Sequence, residues 1–204
     1  MKFIQEYLID CCHILKQLDT NVIHQFIQIL CVTRAAHGRL FILGVGGSAA
    51  NASHAVSDFR KIAQIQAYAP TDNIAELTAR TNDNGWETTF ADWLHVSRLE
   101  PRDAVLVFSV GGGDADKNIS PNIVAALKYA KPIGAKIMGI VSRDGGYTAD
   151  VADACLLIPV INHKTITPHA EALQGVIWHL LVSHPALQPI VIAEPQLAMD
   201  LVGA

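Results

Sequence analysis

His54 and Asp58 stand four residues apart, and Glu171 and His179 eight apart, in two segments that read as helices. The four-residue spacing sets an imidazole and a carboxylate on one helical face. Two imidazoles and two carboxylates suit zinc or another divalent transition metal. Eight helical residues rise about 12 Å, so Glu171 and His179 of one chain could barely reach one ion from opposite sides. Either one of them is not a ligand or the site mixes helices from two subunits. Two exposed polar pairs with no shared ion are the plainer alternative.

Two glycine-rich turns offer a second kind of chemistry. Gly44-Val45-Gly46-Gly47-Ser48-Ala49-Ala50 lies between an apolar run and a helical pattern. Glycines there let the backbone approach an anion, and the helix start supplies unpaired N–H groups and a favourable dipole. The turn loosely matches G-x-G-x-x-A, but the next apolar run ends near Ala67-Tyr68-Ala69 without the acid a dinucleotide ribose needs. The second turn, Ser109-Val110-Gly111-Gly112-Gly113-Asp114, leads through Lys117 to Ser120-Pro121-Asn122. Proline after serine marks a helix start whose first turn could receive a phosphate. Glycines for close helix packing, and a plain surface loop, are the bland readings of the two turns.

These groups need a frame that holds both turns at one edge. Leu40–Val45, Ala104–Phe108, Lys136–Val141 and Ala154–Val160 are continuous apolar runs separated by helical patterns, and Ile65–Ala69 adds a candidate strand. The alternation predicts an α/β fold, a doubly wound parallel sheet covered on both faces, with ligands at the carboxyl ends of its strands. Helices are expected near 48–62, 73–81, 87–97, 121–131 and 168–183, with Asp72 and Ser120 as N-caps. Phe3, Ile4, Tyr7, Leu8, Cys11, Ile14, Leu15 and Leu18, then Val22, Ile23, Phe26, Ile27, Leu30 and Cys31, repeat every three to four residues and predict an N-terminal helical hairpin. One domain over 1–184 is expected, with the hairpin at 1–38 and the core at 40–184. The segment 185–204, with Pro185, Pro189 and Pro195, reads as an extended tail able to wrap a neighbour.

Composition narrows the partners. The 204 residues suit one domain, and half of them are hydrophobic with only 17% charged, which excludes disorder and suggests a buried oligomer interface. A net charge of −4 without a basic run makes nucleic acid an unexpected partner. Apolar stretches fall short of the ~20 residues a bilayer span needs, and the polar N-terminus is unlike a signal peptide, so a cytoplasmic protein is expected. Cys11, Cys12, Cys31 and Cys155 lack CxxC spacing and read as reduced packing residues. His13, His24, His37, His95 and His184 read as surface or packing residues, and His163 and His169 as the remaining candidates to line a pocket. Trp86, Trp93 and Trp178 read as core or interface.

The order and spacing of several motifs resemble the sugar isomerase (SIS) domain proteins, and among them the phosphoheptose isomerases. They are Gly46-Gly47-Ser48-Ala49-Ala50 with His54, Asn82-Asp83 with Gly85, Ser120-Pro121-Asn122, Arg143-Asp144-Gly145-Gly146, and a last helix ending in His179. The resemblance covers roughly residues 1–184. It implies a flavodoxin-like SIS fold and a homotetramer with active sites between subunits. It also implies a metal-dependent aldose–ketose isomerase, converting sedoheptulose 7-phosphate to D-glycero-D-manno-heptose 7-phosphate through an enediol. Carried over by position, the metal ligands are His54, Asp58, Glu171 and His179, with Zn²⁺ the expected ion. Asp58, Glu171 and His179 are the acid/base candidates. Substrate contacts fall on Gly46, Gly47, Ser48, Asn82 and Asp83, and the phosphate loop on Ser109, Val110, Gly111, Gly112 and Ser120.

The chain departs from the family at informative points. Val45 stands where the family has an Asn. Val110, Gly111 and Gly112 replace hydroxyl donors, and residues are inserted before Ser120, so phosphate would rest on backbone N–H groups, Ser109, Ser120 and Lys117. Asp58 replaces Glu, and Glu171 replaces Gln. A non-catalytic SIS module that binds a phosphosugar or scaffolds a partner, and an isomerase of another phosphosugar, are the alternatives.

Overall fold

The computed structural model describes residues 2–188. Five strands, β1 (Arg39–Gly44), β2 (Gln66–Tyr68), β3 (Ala104–Phe108), β4 (Lys136–Ser142) and β5 (Ala154–Ile158), form one sheet in the order β2-β1-β3-β4-β5. Every pairing is parallel, which is the doubly wound arrangement the apolar runs predict. Strand order reverses between β1 and β3, so the chain leaves these neighbours toward opposite edges and opens a crevice at their carboxyl ends.

Both faces of the sheet are covered, and this is why the strands read as unbroken apolar runs. Leu40, Ile42, Leu106, Phe108, Met138 and Ile140 pack beneath α2 (Thr20–Ala35), α3 (Gly47–Lys61) and α8 (Ile166–Ser183). Phe41, Leu43, Val105, Val107 and Ile137 pack on the other side. There they meet α5 (Thr89–Val96) and α6 (Pro121–Ile133), with Leu77 of α4 (Ile74–Asn84) and Tyr147 of α7 (Gly146–Val151) at the margin. Each such side chain stabilises the fold by about 1.5–3 kcal/mol when fully buried.

The amino ends of the strands are tied by carboxylates. Asp103 is fully buried and accepts from the Arg39 N–H at 2.8 Å, the Arg39 guanidinium at 2.6 Å and the Glu100 N–H at 2.9 Å. That hydrogen bond holds the Arg39 guanidinium above its ordinary pKa. Asp153 does the same for β4, accepting from the Ile137 N–H at 2.9 Å and the Lys136 ammonium at 2.8 Å.

Several expectations are corrected. Asn73, not Asp72, caps α4, because its side chain accepts from the Ala75 and Glu76 N–H groups, while Asp72 accepts from the Ser53 hydroxyl. Ser120 occupies the residue before α6 but caps nothing with its side chain. The short α7, opened by Gly145 and Gly146, is an element the periodicity does not foretell. α1 (Lys2–Gln17) buries only Ile14 and leaves Phe3, Ile4, Leu8 and Leu15 exposed, because no layer of the same chain lies opposite them. Pro185–Leu187 forms a 3₁₀ turn rather than an extended tail, held by Arg34 donating to the carbonyls of Ala186 and Leu187. The rest of the expected tail, 189–204, lies outside the described residues.

Candidate functional site

α3 and α8 lie side by side and carry chemistry at two levels. At the lower level His54, Asp58 and His179 each offer a ligand atom within 4.8 Å of the others. His54 Nε2 is 3.8 Å and His179 Nε2 3.7 Å from Asp58 Oδ2. His179 Nδ1 bonds the Gly175 carbonyl at 2.7 Å, which makes it the protonated nitrogen and turns the Nε2 lone pair outward. Trp178, 1% exposed, backs both imidazoles with ring centroids 4.6 Å from His54 and 3.4 Å from His179. Tetrahedral zinc with bonds near 2.1 Å separates its ligand atoms by about 3.4 Å. The two distances to Asp58 exceed this by only a few tenths of an ångström, and the two imidazoles lie within 4.8 Å of each other, so the three donors could converge on a divalent ion by small side-chain rotations.

Glu171 stands at the upper level and does not join that trio. Two turns earlier on α8, its carboxylate fills the space a Cβ would need at Gly47, so only glycine at 47 leaves it there. A carboxylate at the start of α3 is favoured by the helix dipole. Asn51, one turn along α3, donates to the Glu171 carbonyl at 2.9 Å and to Gln174 at 3.0 Å and fixes the two helices together.

From this level a cavity of about 240 Å³ opens, lined by Val45, Ser48, Phe108, Ser109, Val110, Gly111, Ile119, Ser120, Arg143, Thr167 and Glu171. Both glycine turns meet here, at the carboxyl ends of β1 and β3. Gly46, at φ +62, bends the chain sharply into α3 in a conformation only glycine takes easily. Ser109 Oγ accepts from the Gly112 N–H at 3.0 Å, leaving the hydroxyl proton free to donate. Gly112 and Gly113 are anchored by α7, with the Thr148 hydroxyl donating to the Gly112 carbonyl at 2.6 Å and the Tyr147 N–H to that of Gly113.

The expected site residues are thus divided. Ser48, Ser109, Val110, Gly111, Ser120 and Glu171 share the cavity, with Gly47 beneath Glu171, while Gly46 and Gly112 shape its turns. Asn82 and Asp83 sit on the exposed last turn of α4, bonded to one another, and are not among the cavity's lining residues. His163 is exposed, and His169 is buried on α8 against α1, 3.3 Å from Cys11 Sγ with its ring tilted on that of Tyr7, so neither lines the cavity. Arg143, flagged in the sequence only as part of a motif, lines the cavity. The Arg-Asp-Gly-Gly turn after β4 was the available signal. All four cysteines are free, and Cys12 is exposed rather than packed.

A parallel sheet with two glycine turns over one polar crevice defines a class of small-ligand α/β proteins. The chain belongs to the SIS domain family, which it matches over residues 5–142. It is 32% identical to a phosphoheptose isomerase of Syntrophotalea carbinolica over 165 residues, covering 78% of each chain. It is also 32% identical over 164 residues to the lincomycin biosynthesis protein LmbN of Streptomyces lincolnensis, spanning 59% of that longer protein. In fold it resembles the phosphoheptose isomerase of Neisseria gonorrhoeae, with a TM-score of 0.77 at 20% identity over 89% of this chain and 96% of the other. No helix among the described residues is long and apolar enough to cross a membrane.

Proposed function

We propose that this chain is a phosphosugar aldose–ketose isomerase acting on sedoheptulose 7-phosphate, with a divalent ion, Zn²⁺, held by His54, Asp58 and His179. The observation that carries the reading is the His54–Asp58–His179 trio on the same helix pair as the Glu171 cavity. Relatives called phosphoheptose isomerases support the substrate.

Isomerisation moves a proton between adjacent carbons and requires a base, an acid and relief of charge on oxygen. When bound, the ion supplies polarisation of the sugar oxygens. Glu171 suits the proton-carrying role, since its carboxylate faces the cavity apart from the metal trio.

The trio and the Glu171 level are separated by about 12 Å of rise along α8, so joining them within one chain asks both side chains to reach toward each other. A homo-oligomer, with the trio of one subunit facing the cavity of another, resolves this. Exposed Val176 and Leu180 beside His179, and Phe3, Ile4 and Leu8 on α1, supply apolar surface for such contacts. The absence of hydroxyls at Val110, Gly111 and Gly112 favours, as a second reading, a phosphosugar-binding module without catalysis.

Elemental analysis of the purified protein with sedoheptulose 7-phosphate turnover, before and after chelation, tests the proposal. About one ion per chain and chelator-sensitive turnover are expected, and His179→Gln should cost at least about 10²-fold. Full activity and full metal content in His179→Gln would sink the scheme. Phosphosugar binding without turnover would establish the second reading.

A further inference from the structure

We propose that Arg143 is the phosphate anchor of the cavity and sets the direction in which the substrate lies. The assignment rests on the phosphosugar reading above and deepens it.

The two glycine turns are not equivalent toward an anion. At the first, the Glu171 carboxylate already covers Gly47 and the start of α3, so a phosphate placed there would meet a like charge. At the second, Val110, Gly111 and Gly112 carry no hydroxyl, so the neutral donors are backbone N–H groups and the Ser109 hydroxyl. Arg143 adds the positive charge a dianion needs. Its guanidinium lies 4.0 Å from where a Cβ on Gly111 would stand, and it lines the 240 Å³ cavity at the side of Gly111, Ile119 and Ser120. Among the described residues it makes no ion pair and no hydrogen bond.

The neighbouring cation is already engaged. Lys117 bonds Asp114 at 2.9 Å, and this pair holds the Asp114 carboxyl below its usual range. Lys117 and Asp114 line a second cavity of about 240 Å³, which shares Gly111, Ile119 and Arg143 with the first. Arg143 thus stands where the two cavities join, a free guanidinium whose planar donors match a phosphate monoester. Its backbone, at φ +57, is in the left-handed region, and Asp144 accepts from the Gly146 N–H to hold the turn.

The Ser109 hydroxyl is a second donor at the same end. With a cation at one end and Glu171 at the other, a sugar phosphate has one favourable direction. Its phosphate lies on Arg143 and its hydroxyls reach toward Glu171.

Calorimetric titration of the purified full-length protein with inorganic phosphate tests this, with Arg143→Gln, Arg143→Lys and Lys117→Ala as variants. Arg143 is exposed and unbonded, so Arg143→Gln should leave Tm unchanged. Phosphate affinity should fall at least about tenfold in Arg143→Gln, recover in part in Arg143→Lys, and change less than about threefold in Lys117→Ala. KM for the sugar phosphate should rise with it, while the unphosphorylated sugar is unaffected. Phosphate affinity in Arg143→Gln within about twofold of the parent overturns the assignment, as does no binding by the parent protein up to about 20 mM. Arginine-dependent phosphate binding without turnover of any phosphosugar upholds the anchor and fails the isomerase reading instead.

Discussion

The two ends of the sheet are built on opposite terms. At the amino end carboxylates tie the strand starts, and the buried Asp103 alone serves two N–H groups and a guanidinium. At the carboxyl end between β1 and β3, Arg143 is unpaired, Ser109 keeps a free proton, and Glu171 is pressed against the first turn of α3. Closed networks hold strands in register and contribute stability. Donors left open to solvent and a carboxylate at the mouth of the crevice add little to stability and are available for a ligand to complete.

The largest test of that contrast is Asp103→Ala. Removing one partner of a buried pair leaves two N–H groups unsatisfied and the Arg39 guanidinium without its counter-charge, held only by the Ser97 and Arg98 carbonyls, and a loss of about 3–5 kcal/mol is expected in denaturant unfolding. Turnover of the fraction that stays folded should be unchanged. A large loss of turnover per folded molecule would show that the amino end is not merely structural.

Gly47→Ala should do the reverse. The added methyl displaces the end of a side chain, not backbone, and alanine is a better helix residue than glycine. Tm should hold or rise slightly while turnover falls about 10²-fold, because Glu171 is turned out of the cavity. Unchanged turnover would remove Glu171 from the mechanism.

The smallest effect is acid sensitivity. Burial by itself raises the Asp153 carboxyl, but the Ile137 N–H and the Lys136 ammonium outweigh it and hold the carboxyl below the ordinary aspartate range. A depressed folded pKa contributes stability that is present above the unfolded value and lost as pH falls through the folded one. Asp153→Asn should therefore narrow the stability difference between pH 7 and a pH below about 4, read as Tm at each. An identical pH profile in parent and variant would assign the acid response elsewhere.

Much of this was legible in the residues. Strands buried on both faces must be apolar along their length, so β1, β3 and β4 announce themselves as runs, and the glycine turns follow from where those runs stop; β5 is an equally apolar run although Leu157 is exposed at the sheet edge. The four-residue step from His54 to Asp58 sets a metal-type pair without any tertiary information. α7 was hidden because six residues behind two glycines carry too little periodicity. Asp72 and Asn73 are both good caps by type, and only the local backbone chooses between them.

The sequence by itself determined the parallel α/β frame, the two turns that meet over it and the residue types available for metal and proton chemistry, because periodicity and spacing are local properties of the chain. Only the tertiary structure decided that His179 crosses from α8 to meet His54 and Asp58, that Glu171 covers Gly47, and that Arg143 is free in the cavity while Lys117 is taken. Those choices depend on how α3, α8 and the turn after β4 lie against one another. That packing is fixed by side-chain volume and hydrogen bonds between segments far apart in sequence, which no local pattern encodes.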